Sequence, residues 1–243
     1  MKPIVTALFL CLTLISSAQN DRLKDENTII WPQVFINIPL NKKWDLLTEY
    51  QWRRTQGLKD WQQSLLRTTI QYKLNPQVTI GGGYGWVKTF SYGDFPLAGN
   101  GAFPEHRIHE QVQLKNAFGK LSISQRLRIE QRFVGSMSTS GEVERWIFSN
   151  RFRYLLRLQR PLDSSGKLFV AAADEVFINA GKNVGVNVLD QNRFMFLLGA
   201  KPSSRITLEA GYISQTLIQG RRVNNRTIVQ ANRGVLVALY LNL

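Results

Sequence analysis

Apolar and polar residues alternate along most of the chain, and the segment KLSISQRLRIEQRFV at 120–134 shows the pattern clearly. Leu127 and Ile129 lie on one parity, and Arg126 and Arg128 lie on the other. A period of two residues is typical of a β-strand with one apolar and one polar face. In a soluble sandwich the apolar row would form the core. In a membrane barrel the same row would face lipid, and the arginines would line the interior.

Eleven such segments follow one another and are separated by turn residues. We predict strands at 28–39, 43–54, 62–74, 77–90, 105–118, 120–133, 144–158, 167–179, 190–201, 204–217 and 227–243. Several of these rows are longer than ten residues. Soluble strands average about 5–6 residues, whereas a tilted membrane strand needs about 9–11. The strand lengths therefore favour a membrane barrel over a soluble sandwich.

The connections between these segments alternate in length. The short ones are 40–43, 75–77, 119, 161–166 and 201–204, and the longer ones are 55–60, 91–103, 134–143, 180–189 and 218–225. Tight turns at one rim and longer loops at the other are typical of outer-membrane barrels. The sequence thus predicts an all-β fold: a transmembrane, antiparallel, up-and-down outer-membrane β-barrel that forms a single domain at 19–243.

The number of strands is harder to predict than their existence. Bacterial barrels normally have an even number of strands, and the pattern contains eleven segments. A further short strand in 20–27 would pair with 28–39 and give twelve. We therefore expect about twelve strands, with ten as the alternative.

The N-terminal sequence MKPIVTALFLCLTLISSAQ has the features of a secretory signal peptide. Lys2 precedes an apolar run at 4–15, and the run ends in small residues up to Ala18. Cleavage after Ala18 would remove residues 1–18, including Cys11, the one cysteine of the chain, and leave Gln19 first. The mature protein would be exported without disulfides, in a Gram-negative envelope. After the signal no apolar run approaches the length of a membrane-spanning helix.

The formal net charge of the chain is +14. A basic balance of this size points to anionic partners, and export argues against nucleic acid. We expect contacts with outer-membrane lipid and with small anionic solutes. No protein partner is indicated, so a monomer is the default expectation, and no cofactor or metal is predicted.

Charged residues on the inward parity are the candidate lumen lining. They are Glu49, Arg53, Arg67, Arg126, Arg128, Glu130, Arg132, Arg151, Arg153, Arg157, Arg193 and Glu209. Two interpretations stay open at this point. The groups either fill a narrow lumen with structural ion pairs and hydrogen bonds, or line a pore that favours anions.

The two histidines are the residues to examine for catalysis. His106 and His109 are three positions apart on a strand, so they point to opposite faces, which is poor geometry for a shared metal ion. A catalytic base also needs a hydrogen-bonded partner, and no serine is tied to either histidine by the sequence. The sequence therefore predicts no catalytic residue and no enzyme.

Four segments carry a resemblance to a known family: PEHRIHEQVQL at 104–114, DEVFINAG at 174–181, LDQNRFMFLLGA at 189–200 and LEAGYISQ at 208–215. They resemble an outer-membrane barrel family of Bacteroidota filed as a domain of unknown function, DUF2490. The resemblance implies location and architecture but no agreed activity. The family-like residues near the loop-side strand ends are candidates for a polar mouth: Glu105, Arg107, Asp174, Glu175, Gln191 and Asn192. The chain ends in Leu243, whereas many barrel proteins end in an aromatic residue.

The sequence as a whole indicates a porin-like, non-enzymatic barrel with a basic polar lumen, either a small pore or transport protein or a structural component of the envelope. The alternatives are an outer-membrane lipid hydrolase of the phospholipase kind and an accessory subunit of an envelope complex.

The first prediction concerns processing and location. The mature chain should begin at Gln19, fractionate with the outer membrane and migrate differently on gels before and after heating, as closed barrels do. N-terminal sequencing of the fractionated protein checks this. Recovery in the soluble periplasm without detergent would contradict the membrane barrel.

Overall fold

The computed structural model describes residues 22–97, 101–184 and 187–243, which form eleven β-strands in one closed barrel. The predicted signal peptide at 1–18 and its cleavage site lie outside the described residues. In chain order the strands are β1 (Arg22–Pro39), β2 (Trp44–Thr55), β3 (Asp60–Lys73), β4 (Val78–Phe90), β5 (Ala102–Phe118), β6 (Leu121–Met137), β7 (Val143–Pro161), β8 (Leu168–Ala180), β9 (Leu189–Ala200), β10 (Ile206–Val223) and β11 (Arg226–Asn242).

Each predicted segment corresponds to one strand, so the all-β barrel prediction is confirmed. The structure differs from the expected twelve strands at the point of closure. Residues 22–27, where the even-number argument places a further strand, are the beginning of β1. The described strands form a ring of eleven because β1 pairs in parallel with β11, from Arg22 opposite Thr227 to Asn37 opposite Asn242. The other ten pairings are antiparallel.

Side chains alternate between the interior and the outer wall along every strand, as the period of two requires. On β6 Arg128 and Glu130 are buried inside, whereas Leu127 and Ile129 on the outer wall are 59% and 40% exposed. Trp44 and Trp146 also lie on the outer wall. Within the described residues no helix is long and apolar enough to cross a membrane.

The interior is divided into two sectors. An apolar cluster covers the inner face of β1 and β9–β11, and its buried members are Ile29, Trp31, Leu197, Ile213, Leu236 and Ala238. Phe35, Met195 and Tyr240 pack against this cluster. Charged and amide side chains fill much of the remaining interior, together with buried apolar residues such as Leu65, Val87 and Phe169. The predicted basic polar lumen therefore describes only part of the interior.

The first part of the loop after β4, residues 91–97, folds into the barrel at the long-loop rim. The hydroxyl of Tyr92 accepts hydrogen bonds from Gln62 at 3.0 Å and from Asn232 at 3.2 Å. The backbone N–H of Phe95 donates to Asp25 on β1 at 3.1 Å, and the side-chain amide of Gln219 on β10 donates to the Phe95 carbonyl oxygen at 2.5 Å. The loop thus covers the interior on the side of the parallel seam.

Glycines of the GGGYG segment on β4 let neighbouring strands approach closely. A Cβ atom added at Gly83 would lie 2.0 Å from the carbonyl oxygen of Thr68 on β3. At Gly82, the adjacent residue, the nearest atom would be the carbonyl oxygen of His109 at 3.4 Å, an ordinary contact. A side chain is thus excluded at one position and tolerated at the next.

The second prediction uses this pair. Gly83→Ala should push β3 away from β4 and cost roughly 1–3 kcal/mol of folding free energy, the usual range for overpacking. Gly82→Ala, the matched control, should have little effect. Urea unfolding and the folded fraction on unheated gels measure both. Equal stability of the two variants would show that the close approach is not a constraint.

Candidate functional site

The candidate site is the charged sector of the interior. Among the described residues, ten arginines and six carboxylates extend through it from the long-loop side to the short-turn side: Arg53, Arg67, Arg107, Arg126, Arg128, Arg132, Arg151, Arg153, Arg157 and Arg193, with Glu49, Glu105, Glu130, Glu175, Asp190 and Glu209. Each projects inward because it lies on the inward parity of its strand or at a bulge. The sector carries more positive than negative charge, so the carboxylates are shared.

Glu130 on β6 is the most enclosed of these carboxylates, with no exposed surface. Arg151 donates to its Oε2 atom at 2.5 Å, and Arg153 donates to its Oε1 atom at 2.6 Å. Two further guanidinium groups lie near Oε1, with Arg67 Nη2 at 3.6 Å and Arg128 Nη1 at 3.9 Å. One carboxylate thus lies within 4 Å of four guanidinium groups that come from three strands.

Glu175 on β8 is a second shared carboxylate. Arg153 donates to its Oε1 atom at 2.7 Å and Arg126 donates to the same atom at 2.9 Å. Arg193 donates to its Oε2 atom at 3.4 Å. Because Arg153 also binds Glu130, the two carboxylates belong to one continuous network.

Arg53 differs from these arginines because its hydrogen-bond partners are neutral. Its guanidinium donates to the side-chain oxygens of Gln51 and Gln63, at distances from 2.5 to 3.0 Å. It lies 4.2 Å from the ring centroid of Trp31, and Arg193 lies 4.9 Å from the same centroid. Two cations therefore flank one buried indole, an arrangement stabilised by cation–π attraction.

Between this network and the long loops lies a cavity of about 280 Å³, which we call the upper cavity. Tyr92 and Phe177 form part of its wall, and its charged lining is Arg53, Arg107, Arg132, Arg151, Arg153 and Arg193 with Glu105 and Asp190. Two donor atoms of lining residues, Gln191 Nε2 and Arg193 Nε, are buried and have no hydrogen-bond partner in the described part of the chain. The excess of arginines over carboxylates means that the upper cavity can offer positive charge to a polar ligand.

The structure places all twelve lumen-lining candidates on inner faces of the barrel, where nine are buried and the side chains of Arg126, Arg132 and Arg157 are 15–21% exposed. The lower part of the interior contains the pair Arg157 and Glu209, whose closest atoms are 2.6 Å apart. Glu49 accepts a hydrogen bond from Arg67 at 2.5 Å. The side chains thus interact with one another across the interior.

The polar-mouth candidates do not form one group. Glu105, Arg107 and Gln191 line the upper cavity. Glu175 lies deeper, in the central network described above. Asp174 and Asn192 are on the outer wall, where the Asn192 amide donates to Asp174 at 2.9 Å. Adjacent residues of a strand face opposite sides, so Asp174 and Glu175 cannot both point inward.

The histidines lie on opposite faces of β5, as their spacing requires. His109 is buried inside, 3.0 Å from the hydroxyl of Thr69, and His106 on the outer wall bonds to the hydroxyl of Tyr84 at 2.5 Å. Among residues 22–97, 101–184 and 187–243, no group of three or more His, Cys, Asp or Glu side chains could hold a metal ion.

The alternation of polar and apolar residues does not predict the inward position of several residues of the site. Gln62 and Asp190 enter the interior at β-bulges, where register shifts put two successive side chains on the same face. Tyr92 reaches the interior from a loop. Phe177 is apolar but lies among arginines, with the guanidinium of Arg153 4.5 Å from its ring centroid. Of these four residues, only Phe177 could be assigned to the interior from the sequence, because it shares the inward parity of Glu175.

The third prediction tests the shared carboxylate. Glu130→Gln should leave Arg151, Arg153 and their neighbours without a common anion and cost about 3–5 kcal/mol, the range for breaking a buried ion pair. Glu142→Gln is the matched control, because Glu142 is exposed in the loop between β6 and β7, away from the network. This control should change stability by less than about 1 kcal/mol. Urea unfolding gives both values, and a stable Glu130→Gln protein would contradict the central role of Glu130.

A solved structure and a family model are similar to this chain. A solved structure described as "NanC porin structure in rhombohedral crystal form" is similar to the chain with a TM-score of 0.47 and 15% sequence identity, covering 79% of this chain and 83% of that chain. No curated protein sequence matches. The family model "Protein of unknown function (DUF2490)" matches residues 28–226, which is most of the chain. The protein therefore belongs to the DUF2490 family.

Proposed function

We propose that the protein is a non-enzymatic outer-membrane β-barrel that takes up small anionic solutes in the upper cavity and conducts them through a narrow lumen that favours anions. The observation that carries this proposal is the excess of arginines over carboxylates in the central interior, with Arg53 bound to neutral partners alone.

The membrane location is supported by the outer wall and by the closure of the sheet. Large apolar side chains such as Leu66, Leu127 and Leu198 are 47–59% exposed on this wall. An exposed apolar surface of this kind is stable against lipid and unstable in water. The closed sheet also satisfies the backbone hydrogen bonds that lipid cannot satisfy. In this orientation the long loops face the cell exterior and the short turns face the periplasm.

The anion preference follows from electrostatics in a closed interior. Six arginines and two carboxylates line the upper cavity, so an anion that enters it meets a positive field. Guanidinium groups match the geometry of carboxylate and phosphate oxygens, with two parallel hydrogen bonds to each. The upper cavity therefore suits a small solute with carboxylate or phosphate groups.

The central interior is too densely filled with side chains to be a wide, water-filled pore. Glu130 is fully buried, Arg128 is 3% exposed and Leu65 has no exposed surface. Passage of a solute through this level requires the arginine network to exchange its own carboxylates for the solute. We expect a small conductance for this reason.

The lipid-hydrolase alternative has no observation in its favour. His106, the histidine on the outer wall, bonds to Tyr84 and lies 4.7 Å from Trp146 between ring centroids. A tyrosine hydroxyl in this position does not provide the serine nucleophile that such an enzyme uses.

The fourth prediction compares two variants that each remove one positive charge. Arg53→Gln removes an arginine of the upper cavity that leaves no carboxylate unpaired, and Arg233→Gln removes one on the outer wall. In planar bilayers with a potassium chloride gradient, the parent protein should give an anion-selective reversal potential. Arg53→Gln should reduce this selectivity, and Arg233→Gln should not.

Binding is measured separately from conductance. A ligand at a hundred times its Kd stabilises the folded state by about 2.7 kcal/mol, so inorganic phosphate should raise the Tm of the parent and raise that of Arg53→Gln less. Cation selectivity would contradict the proposal. So would the absence of both current and stabilisation by phosphate.

A further inference from the structure

Exposed positive charge collects at the short-turn rim of the barrel. Four of the five short turns carry or adjoin an exposed lysine or arginine in the described chain. We call these residues the basic collar, and they are Lys42, Lys43, Lys120, Arg160, Lys167 and Arg205. The four turns join β1 to β2, β5 to β6, β7 to β8 and β9 to β10, so the basic collar is spread around the barrel.

The basic collar has no counterion within the described chain, where none of its six members forms an ion pair. Two side-chain carboxylates of the described residues lie at this rim, and both are bound elsewhere. Asp45 is 5% exposed and pairs with Lys73 at 2.7 Å. Asp163 accepts hydrogen bonds from the hydroxyl of Ser165 and from the backbone N–H of Leu168, close to its own turn. The positive charge of the basic collar is therefore available to a partner outside the chain.

The long-loop rim carries exposed charge of both signs instead. Lys59 is followed by Asp60, and Glu142 and Glu144 precede Arg145. The single sign of the basic collar is therefore a property of the short-turn rim and does not simply follow from the net charge of +14.

Large apolar side chains are exposed next to the basic collar. Leu40, Phe118 and Leu162 are 55%, 68% and 61% exposed, and each lies two residues from a member of the basic collar. An apolar residue beside a long, flexible cation suits the boundary where acyl chains meet lipid headgroups. The apolar side chain enters the hydrocarbon there, and the charged end reaches the level of the phosphates. This combination favours a lipid surface as the partner.

An aromatic pair marks the same level on the outer wall. The rings of Trp44 and Tyr72 have their centroids 4.8 Å apart, and the ammonium nitrogen of Lys43 lies 5.8 Å from the centroid of Tyr72. Tryptophan and tyrosine are enriched where a membrane meets water, because their rings are apolar and carry one polar group. The basic collar therefore lies at the depth of the lipid headgroups.

We propose that the basic collar binds anionic phospholipid headgroups in the leaflet at the short-turn rim, an inference that rests on the membrane location proposed above. A headgroup with net negative charge neutralises lysine and arginine, whereas a zwitterionic headgroup brings an ammonium group of its own. In the orientation with the long loops outside, this leaflet is the periplasmic one. The basic collar then selects the lipids that surround the barrel and fixes the depth of its short turns.

Tryptophan quenching tests this proposal in vesicles of phosphatidylcholine. The probes are phosphatidylglycerol and phosphatidylcholine with brominated acyl chains, which quench tryptophan fluorescence on contact. Trp44 is the one of the six tryptophans that lies at the short-turn rim, and its signal is the difference between the parent and Trp44→Phe. Brominated phosphatidylglycerol should reach half-maximal quenching of Trp44 at a mole fraction at least fivefold lower than brominated phosphatidylcholine.

Two variants, each without four exposed lysines, show which rim is responsible. The collar variant combines Lys42→Gln, Lys43→Gln, Lys120→Gln and Lys167→Gln. The matched long-loop variant combines Lys24→Gln, Lys59→Gln, Lys88→Gln and Lys182→Gln. Both should remain folded on unheated gels, because these lysines are exposed and form no ion pair within the described residues. The two brominated lipids should quench Trp44 equally in the collar variant, whereas the long-loop variant should keep the preference for phosphatidylglycerol.

Equal quenching of Trp44 by the two lipids in the parent protein would overturn the proposal, whatever the variants show. So would a preference that survives in the collar variant or disappears in the long-loop variant. Arg53→Gln, which should lower the anion selectivity of the current, should keep the preference for phosphatidylglycerol, because Arg53 lies inside the upper cavity. The lipid site and the anion path can therefore fail independently of each other.

Discussion

The burial of charge inside a closed sheet is the constraint on which the interior depends. Taking an arginine or a glutamate out of water costs desolvation free energy, which is offset only by ion pairs and hydrogen bonds with opposite charges. Glu130 and Glu175 offset this cost by binding several guanidinium groups each, with Arg153 shared between them. The strands that carry these residues are thereby held in register by side chains as well as by backbone hydrogen bonds. What remains after this pairing is a surplus of positive charge.

The surplus of positive charge and the packing of the interior have opposite consequences for the anion transport proposed above. Positive charge draws an anion inward, whereas the enclosed network resists its passage. Trp31 and Phe177 support the arginines from the apolar side, so the guanidinium planes have defined positions even where a carboxylate is absent. A solute can replace a carboxylate partner, but it must do so at several arginines together. Selectivity is therefore favoured over rate.

Much of this architecture is readable from the sequence because alternation is a property of neighbouring residues. The parity of β6 puts Arg128 and Ile129 on opposite faces, and the strand lengths and loop pattern then assign Arg128 to the interior. Alternation does not specify which strands meet at closure, so the parallel pairing of β1 with β11 lies beyond it. It also fails at bulges, which bring Gln62 inside, and in loops, which bring Tyr92 inside. The prediction that Asp174 lines a polar mouth conflicts with the alternation itself, because its neighbour Glu175 points inward and adjacent residues of a strand face opposite sides.

The odd number of strands separates the two ends of the described chain. Arg22 lies at the long-loop rim, and Leu243 lies at the short-turn rim. In the orientation proposed above, with the long loops outside, the start of β1 would face the cell surface and the end of β11 would face the periplasm. A reporter domain fused ahead of β1 would accordingly be displayed to the medium, and one fused after β11 would be hidden from it.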